Sequence, residues 1–143
     1  MEIQLLVIII IMIACSAFFS ASETALTGAN RIRLKSMAEN GSKGAKMALK
    51  LLDRYDKVIT TILIGNNIVN ITASSLGTIL ATAIVGPDNA ALVSTVVLTL
   101  VILAFGEVMP KSLAKDHSEG LTVATSGIIT FLTFIFTPLS ALF

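Results

Sequence analysis

Glu107 is the residue whose position in this sequence most strongly indicates chemistry. It lies in "AFGEVMPKS", residues 104–112, at the end of a mainly apolar run. A charged side chain is costly where such a run lies in hydrocarbon, and it then usually faces a helix-bundle interior or a water-filled cavity. We therefore predict that Glu107 belongs to a functional site.

Pro110, three residues later, explains part of this arrangement. Proline has no N–H, so the carbonyl four residues earlier in a helix loses its hydrogen bond and is pushed aside by the ring. That earlier residue is Gly106. We predict a helix break at Pro110 that leaves the Gly106 carbonyl free beside the Glu107 carboxylate.

Two other apolar segments carry polar side chains one helical turn apart: Ser16 and Ser20 in the first, and Asn66, Asn70 and Ser74 in the second. Serines are common where transmembrane helices pack closely, so the serine pair alone is also typical of packing. The asparagines fit packing less well, because each buried carboxamide needs a polar partner.

Together these groups form an all-oxygen set of carboxylate, carbonyl, carboxamides and hydroxyls. Such ligands suit a hard cation, Mg²⁺, Ca²⁺ or Na⁺, rather than Zn²⁺ or Cu²⁺. The chain has one histidine, one cysteine and no Gly-rich phosphate loop, which argues against zinc and nucleotide chemistry. No pair of residues suited to an intramembrane hydrolase stands at this depth, so we predict that the chain is not an enzyme.

The elements that must position these residues are transmembrane helices. Of the 143 residues, 55% are hydrophobic and 13% are charged, whereas soluble domains carry about 25% charged residues. Because about 20 apolar residues cross the hydrocarbon core, we predict spans at residues 3–27, 58–85 and 90–112. The first run carries Glu2, has no basic residue before it and continues past Cys15, which favours a span over a cleaved signal peptide.

Residues 29–57 hold eight of the ten lysines and arginines against three acidic residues. Their spacing predicts two short amphipathic helices around an Asn-Gly turn. A basic loop between two spans is expected in the cytoplasm, which puts the N-terminus outside. Pro138 interrupts the last apolar segment, and hydropathy alone leaves open whether that segment crosses, re-enters or lies along the interface. The chain ends on apolar residues, so we expect a fragment cut before a soluble domain.

Three motifs occur in order along the chain: "FFSASETAL", "LIGNNIVNI" and "FGEVMPKSLA". They resemble the DUF21 transmembrane domain of the CorC, CorB and CNNM proteins, over residues 1–143. The resemblance implies an all-α membrane protein with three transmembrane helices and a basic cytoplasmic helical hairpin between the first and second. It also implies that residues 121–143 form a juxtamembrane helix rather than a fourth span.

Members of this family are described as Mg²⁺ transporters, mainly exporters driven by Na⁺ entry. The resemblance therefore implies alternating access in a homodimer of the cell membrane, followed by a cytosolic CBS-pair domain that binds ATP. A face of small residues on the second span offers a close helix contact, formed by Ala73, Ser74, Gly77 and Ala81.

Carried onto this sequence, the family's Mg²⁺ ligands would be Ser20, Asn70, Glu107 and the Gly106 carbonyl. Ser16 and Asn66 lie one turn away on the same helix faces and form a second tier. Ser22 and Glu23 match the family's "SxSE" stretch, and the resemblance implies a second, Na⁺-related site or the mouth of the cavity for them.

Two other functions remain open from the sequence. The domain could bind Mg²⁺ as a membrane sensor or scaffold without transporting it. Alternatively, Na⁺ could be the conducted ion, with Mg²⁺ only modulating its passage. One carboxylate per site suits either cation, so the residues do not separate these functions.

Overall fold

The structure is a computed structural model that describes residues 2–140, with side chains through residue 138. The described residues are helical and connected by short turns, which confirms the all-α prediction. The elements are α1 (Glu2–Gly28), α2 (Arg31–Glu39), α3 (Lys43–Asp53), α4 (Tyr55–Val85), α5 (Pro87–Val101), a π-helical segment (Ile102–Val108), α6 (Met109–Asp116), α7 (Ser118–Ile135) and α8 (Thr137–Ser140).

Four helices are long and apolar enough to cross a membrane: α1, α4, the continuous run from Pro87 to Asp116, and α7. The first three of these helices contain the three predicted spans. The second and third helices are longer than the spans predicted for them. The fourth, with 18 residues, falls in the segment that we expected to be juxtamembrane. The last residues of that segment, 141–143, lie outside the described residues.

Helices α1 and α4 run antiparallel. Thr27 and Tyr55 share a hydrogen bond of 2.9 Å at one end of the pair, and Ser16 bonds Asn66 further along, so numbers rise on one helix as they fall on the other. Gly65 lies against the ring of Phe19 and allows this close approach. We call the end of the bundle at α2 and α3 the hairpin end, and the end at Gly86 the turn end.

The turn end is formed by two residues with complementary backbone preferences. Gly86 has a φ of +86°, and Pro87 occupies the first turn of α5. A positive φ suits glycine because it has no Cβ, and proline fits the first helical turn because its missing N–H is not needed there. The third helix therefore runs back from the turn end to the hairpin end, parallel to α1.

The small-residue face of α4 packs within the chain. Ala73, Gly77 and Ala81 are buried, and a side chain on Gly77 would collide with Leu98 of α5. The close helix contact that these small residues offer is thus made within the chain at the three buried positions, where α5 occupies the approach that glycine permits.

Helix α7 packs along α3 at the hairpin end. Ser126 donates a hydrogen bond to the Gly44 carbonyl at 3.2 Å, and Val123 lies directly against Gly44. Ser118, at the start of α7, lies beside Gly28 at the end of α1. These contacts hold α7 against α1 and α3.

Candidate functional site

Three transmembrane segments meet at Ser16. Its fully buried hydroxyl donates to Asn66 Oδ1 at 3.1 Å, which joins α1 to α4. Gly106 is also buried, and a Cβ there would lie only 3.1 Å from Ser16 Oγ. Glycine favours this approach, because a larger residue would require Ser16 or the π-helical segment to shift.

Ser20 and Asn70 lie one helical turn from this contact, but in opposite directions. Ser20 is about 6 Å from Ser16 toward the hairpin end, and Asn70 is about 6 Å from Asn66 toward the turn end. Because α1 and α4 are antiparallel, the two side chains differ in depth by about 12 Å. One Mg²⁺, with ligands at about 2.0–2.1 Å, does not contact both in this conformation.

Ser20 and Asn70 nevertheless share an unusual property. Ser20 Oγ and Asn70 Oδ1 are buried and have no hydrogen-bond partner among the described residues, and Ser22 Oγ is in the same state. A buried polar group without a partner costs about 1–3 kcal/mol. Such oxygens are available to a ligand without breaking an existing hydrogen bond.

Pro110 does not break the third helix, which corrects the sequence prediction. The helix is continuous, and the irregularity is the π-helical segment that precedes the proline. The Met109 N–H donates to the Ala104 carbonyl, five residues back. In an α-helix the Met109 N–H would instead donate to the Phe105 carbonyl, four residues back. A π-helical bond to the Phe105 carbonyl would have to come from residue 110, which is proline and has no N–H. The Phe105 carbonyl thus loses both helical donors, and the Gly106 carbonyl loses its α-helical donor.

Glu107 is half-buried within the π-helical segment. Since Gly106 is level with Ser16, Glu107 lies within about 5 Å of the depth of Ser20. Among residues 2–138, no three His, Cys, Asp or Glu side chains come together.

A cavity of about 370 Å³ lies on the turn-end side of the Ser16–Asn66 contact. Asn70 stands at one end of it, and Thr78 and Ser94 share a hydrogen bond of 3.1 Å further along. Its other polar lining residues are Ser74, Thr95 and Thr99. Sequence analysis found Asn70 and Ser74 but missed the rest, although Thr78 continues the same four-residue spacing.

A second polar cavity, of about 350 Å³, lies on the hairpin-end side. Glu23 lines it together with Thr24, Thr27, Lys115 and Ser118. Glu23 therefore belongs to a different cavity from Asn70, and the Ser16–Asn66 contact lies between the two depths. The arrangement is two polar cavities at different depths, with the Ser16–Asn66 hydrogen bond at a depth between them.

These features define an integral membrane domain whose polar side chains are gathered between helices. The sequence profile described as the cyclin M transmembrane N-terminal domain, CNNM, matches residues 7–143. The chain belongs to this family, which confirms the resemblance seen in its three motifs.

Relatives of this chain include bacterial membrane proteins. It is 44% identical over 135 residues to a UPF0053 protein of Haemophilus influenzae, covering 94% of this chain and 32% of the relative. It is 44% identical over 124 residues to the UPF0053 inner membrane protein YfjD of Escherichia coli, covering 87% and 29% respectively. A protein named as a polyamine export protein of Haemophilus influenzae is 26% identical over 143 residues, covering 92% of this chain and 33% of the relative. The chain thus spans about a third of the length of these relatives.

Proposed function

We propose that this protein transports Mg²⁺ across the membrane, as an exporter coupled to Na⁺ entry. The observation that carries the proposal is the pair of buried, unpartnered oxygens, Ser20 Oγ and Asn70 Oδ1, on either side of the Ser16–Asn66 contact. Membership of the family and the relative named as an export protein support transport in general.

The ligands act at two depths. At the inner depth, Mg²⁺ binds Ser20, the Gly106 carbonyl and the Glu107 carboxylate, with water completing the octahedron that this ion requires. At the outer depth, which is the level of Asn70 on the turn-end side of the Ser16–Asn66 contact, Asn70 is the first residue of the hydroxyl-lined cavity to bind the ion. Helix-borne ligands suit Mg²⁺ because they are preorganised to replace water that the ion gives up reluctantly.

The placement of inner ligands on one side of the Ser16–Asn66 contact and Asn70 on the other supports an alternating-access mechanism. Mg²⁺ enters the hairpin-end cavity past Ser22 and Glu23, which also offer a second, Na⁺-related site. It reaches Glu107 while the Ser16–Asn66 hydrogen bond closes the path to Asn70. Separation of α1 from α4 then breaks that bond and opens the outer cavity. The π-helical segment is the flexing element, since its hydrogen bonds can shift register.

The proposed orientation places the hairpin end in the cytoplasm and the N-terminus outside, following the basic residues of 29–57. Helix α7 then lies along the cytoplasmic face instead of crossing. Its start contacts Gly28, and Thr133, about 22 Å further along the helix, lines a cavity with Lys57 at the start of α4. Both ends of α7 are therefore at the hairpin end, as a juxtamembrane helix requires.

The proposed partners are a second copy of the chain and a cytosolic CBS-pair domain that binds ATP, as the family resemblance implies. Three rival functions remain: a Mg²⁺ sensor or scaffold without transport, conduction of Na⁺, and polyamine export. A polyamine carries several separated charges, whereas the inner depth offers one carboxylate.

The test is Mg²⁺ flux through the protein reconstituted in vesicles, with wild type compared with Glu107→Gln. Glu39→Gln, an exposed position on α2, is the matched control. We expect the Glu107 variant to lose Mg²⁺ flux by tenfold or more, which corresponds to about 1.4 kcal/mol, and the control to retain it.

The same vesicles separate the rivals. Flux that requires an inward Na⁺ gradient supports coupled export, Na⁺ flux without Mg²⁺ supports Na⁺ conduction, and spermidine uptake supports a polyamine substrate. Saturable Mg²⁺ binding without any flux would indicate a sensor. Mg²⁺ flux that is equal in wild type and Glu107→Gln would contradict the proposed site.

A further inference from the structure

A third cavity, of about 430 Å³, lies at the hairpin end where α3, the start of α4 and the end of α7 meet. Three cationic side chains line it: Lys50, Arg54 and Lys57. None of its lining residues is acidic. It shares no residue with the proposed cation path, so its role is independent of the proposed function.

None of the three cations forms an ion pair with residues 2–138. Among the described residues, ion pairs form between Arg31 and Asp53 and between Arg33 and Glu119, and these do not include Lys50, Arg54 or Lys57. Three positive charges around one cavity repel one another, and an anion between them removes that repulsion. The cavity therefore favours an anionic ligand.

The first turn of α4 presents backbone N–H groups to this end of the bundle, and it also carries the exposed carboxylate of Asp56. This helix of 31 residues begins at Tyr55, immediately after Arg54, and no side chain caps its first amides. Uncapped N–H groups at a helix N-terminus attract anions. The arginine in turn supplies a planar group that matches two phosphate oxygens at once.

The remaining wall indicates what is attached to the anion. Met47, Leu51 and Phe134 are apolar lining residues, and Phe134 is 78% exposed. The lining threonines donate their hydroxyl protons to backbone carbonyls four residues earlier, so the cations supply the anion contacts. A charged pocket beside an exposed apolar surface fits a phosphate with hydrocarbon attached, as basic pockets between helices bind lipid headgroups.

We propose that this cavity binds the phosphate of an anionic phospholipid, with its acyl chains lying against the apolar surface at Phe134. The lipid bridges α3, α4 and α7, and so fixes α7 against the helices that carry the cation path.

The test is native mass spectrometry of the protein purified in detergent with equal amounts of dioleoyl phosphatidylglycerol and dioleoyl phosphatidylcholine. The variants are Lys50→Gln, Arg54→Gln and Lys57→Gln. Lys46→Gln is the matched control, because it removes an exposed charge from the same helix α3 without touching the cavity. Circular dichroism verifies that each variant keeps its helical content.

We expect wild type and Lys46→Gln to retain phosphatidylglycerol preferentially, and each cavity variant to lose about fivefold in that preference. Wild type should also gain thermal stability from added dioctanoyl phosphatidylglycerol. Equal retention of the two lipids, or cavity variants that match the control, would overturn the proposal. Stabilisation of wild type by millimolar inorganic phosphate that equals the stabilisation by dioctanoyl phosphatidylglycerol would identify free phosphate as the ligand and also overturn it.

Discussion

Ser16 Oγ and Asn66 Oδ1, 3.1 Å apart, form a hydrogen bond between α1 and α4 at a depth between two polar cavities. Ser20 and Asn70, one helical turn away on the same two helices, have side-chain oxygens without partners among residues 2–138. Residues of the same types thus differ in their contacts: Ser16 and Asn66 bond to each other, whereas the buried oxygens of Ser20 and Asn70 have no hydrogen-bond partner among those residues.

Substitution of the two serines should separate these roles. Ser16→Ala leaves Asn66 Oδ1 without its donor, and we expect thermal stability to fall by about 0.6–1 kcal/mol. Ser20→Ala removes a hydroxyl that has no partner, so stability without Mg²⁺ should be unchanged or higher. The same change should weaken Mg²⁺ binding by about fivefold. Thermal unfolding by circular dichroism and calorimetric Mg²⁺ titration measure the two effects.

The two serine variants are each other's control. If Ser20→Ala destabilised the Mg²⁺-free protein as much as Ser16→Ala does, Ser20 would be a packing residue. Unchanged Mg²⁺ affinity in Ser20→Ala would remove it from the inner depth of the proposed path.

Gly106→Ala tests the close approach between α1 and the π-helical segment. Its Cβ would stand 3.1 Å from Ser16 Oγ and 3.5 Å from Ser16 Cβ, so the helices must separate slightly. We expect a loss of about 1 kcal/mol in stability together with weaker Mg²⁺ binding. Gly127→Ala on α7 is the control, because nothing lies within 4 Å of its new Cβ and alanine favours a helix by about 1 kcal/mol. If Gly106→Ala raised the stability as much as Gly127→Ala does, the contact between Gly106 and Ser16 would have room for a methyl group.

The position of α7 can be tested by cysteine labelling in a Cys15→Ser background. If α7 lies along the cytoplasmic face, Gly120→Cys and Thr137→Cys should both react with an impermeant maleimide from the hairpin side. Asp88→Cys, in the first turn of α5 at the turn end, should react from the opposite side. Labelling of Thr137→Cys from the same side as Asp88→Cys would instead make α7 a fourth span.

Hydropathy predicted the transmembrane helices but underestimated two of them. Helix α4 begins at Tyr55 rather than at residue 58, and the third helix runs from Pro87 to Asp116 rather than over residues 90–112. Most of the extra residues are polar or lie at turns; Leu113 and Ala114 are the exceptions. Backbone hydrogen bonding continues a helix into polar residues where an apolar profile has already ended.

The residues of the candidate site were visible in the sequence, but their grouping was not. Four-residue spacing put Asn66 and Asn70 on one face of α4, and Ser16 and Ser20 on one face of α1. Spacing within a helix carries no information on how two antiparallel helices are aligned. That alignment pairs Ser16 with Asn66 and puts Ser20 and Asn70 at different depths.

The π-helical segment also sets the rotational phase of the third helix. Ser94 and Gly106 are both buried, yet twelve residues of continuous α-helix would turn them about 120° apart. Hydrogen bonds to the fifth residue back widen each turn, so the rotation per residue is smaller between Ile102 and Val108. A regular α-helix with the same number of residues would turn Glu107 by about 120° relative to the outer half of the helix, whereas a regular α-helix one residue shorter would keep Ser94 and Gly106 within about 20° of each other. The aim of the carboxylate thus depends on the π-helical hydrogen bonding that accommodates one extra residue, a property that no hydropathy profile registers.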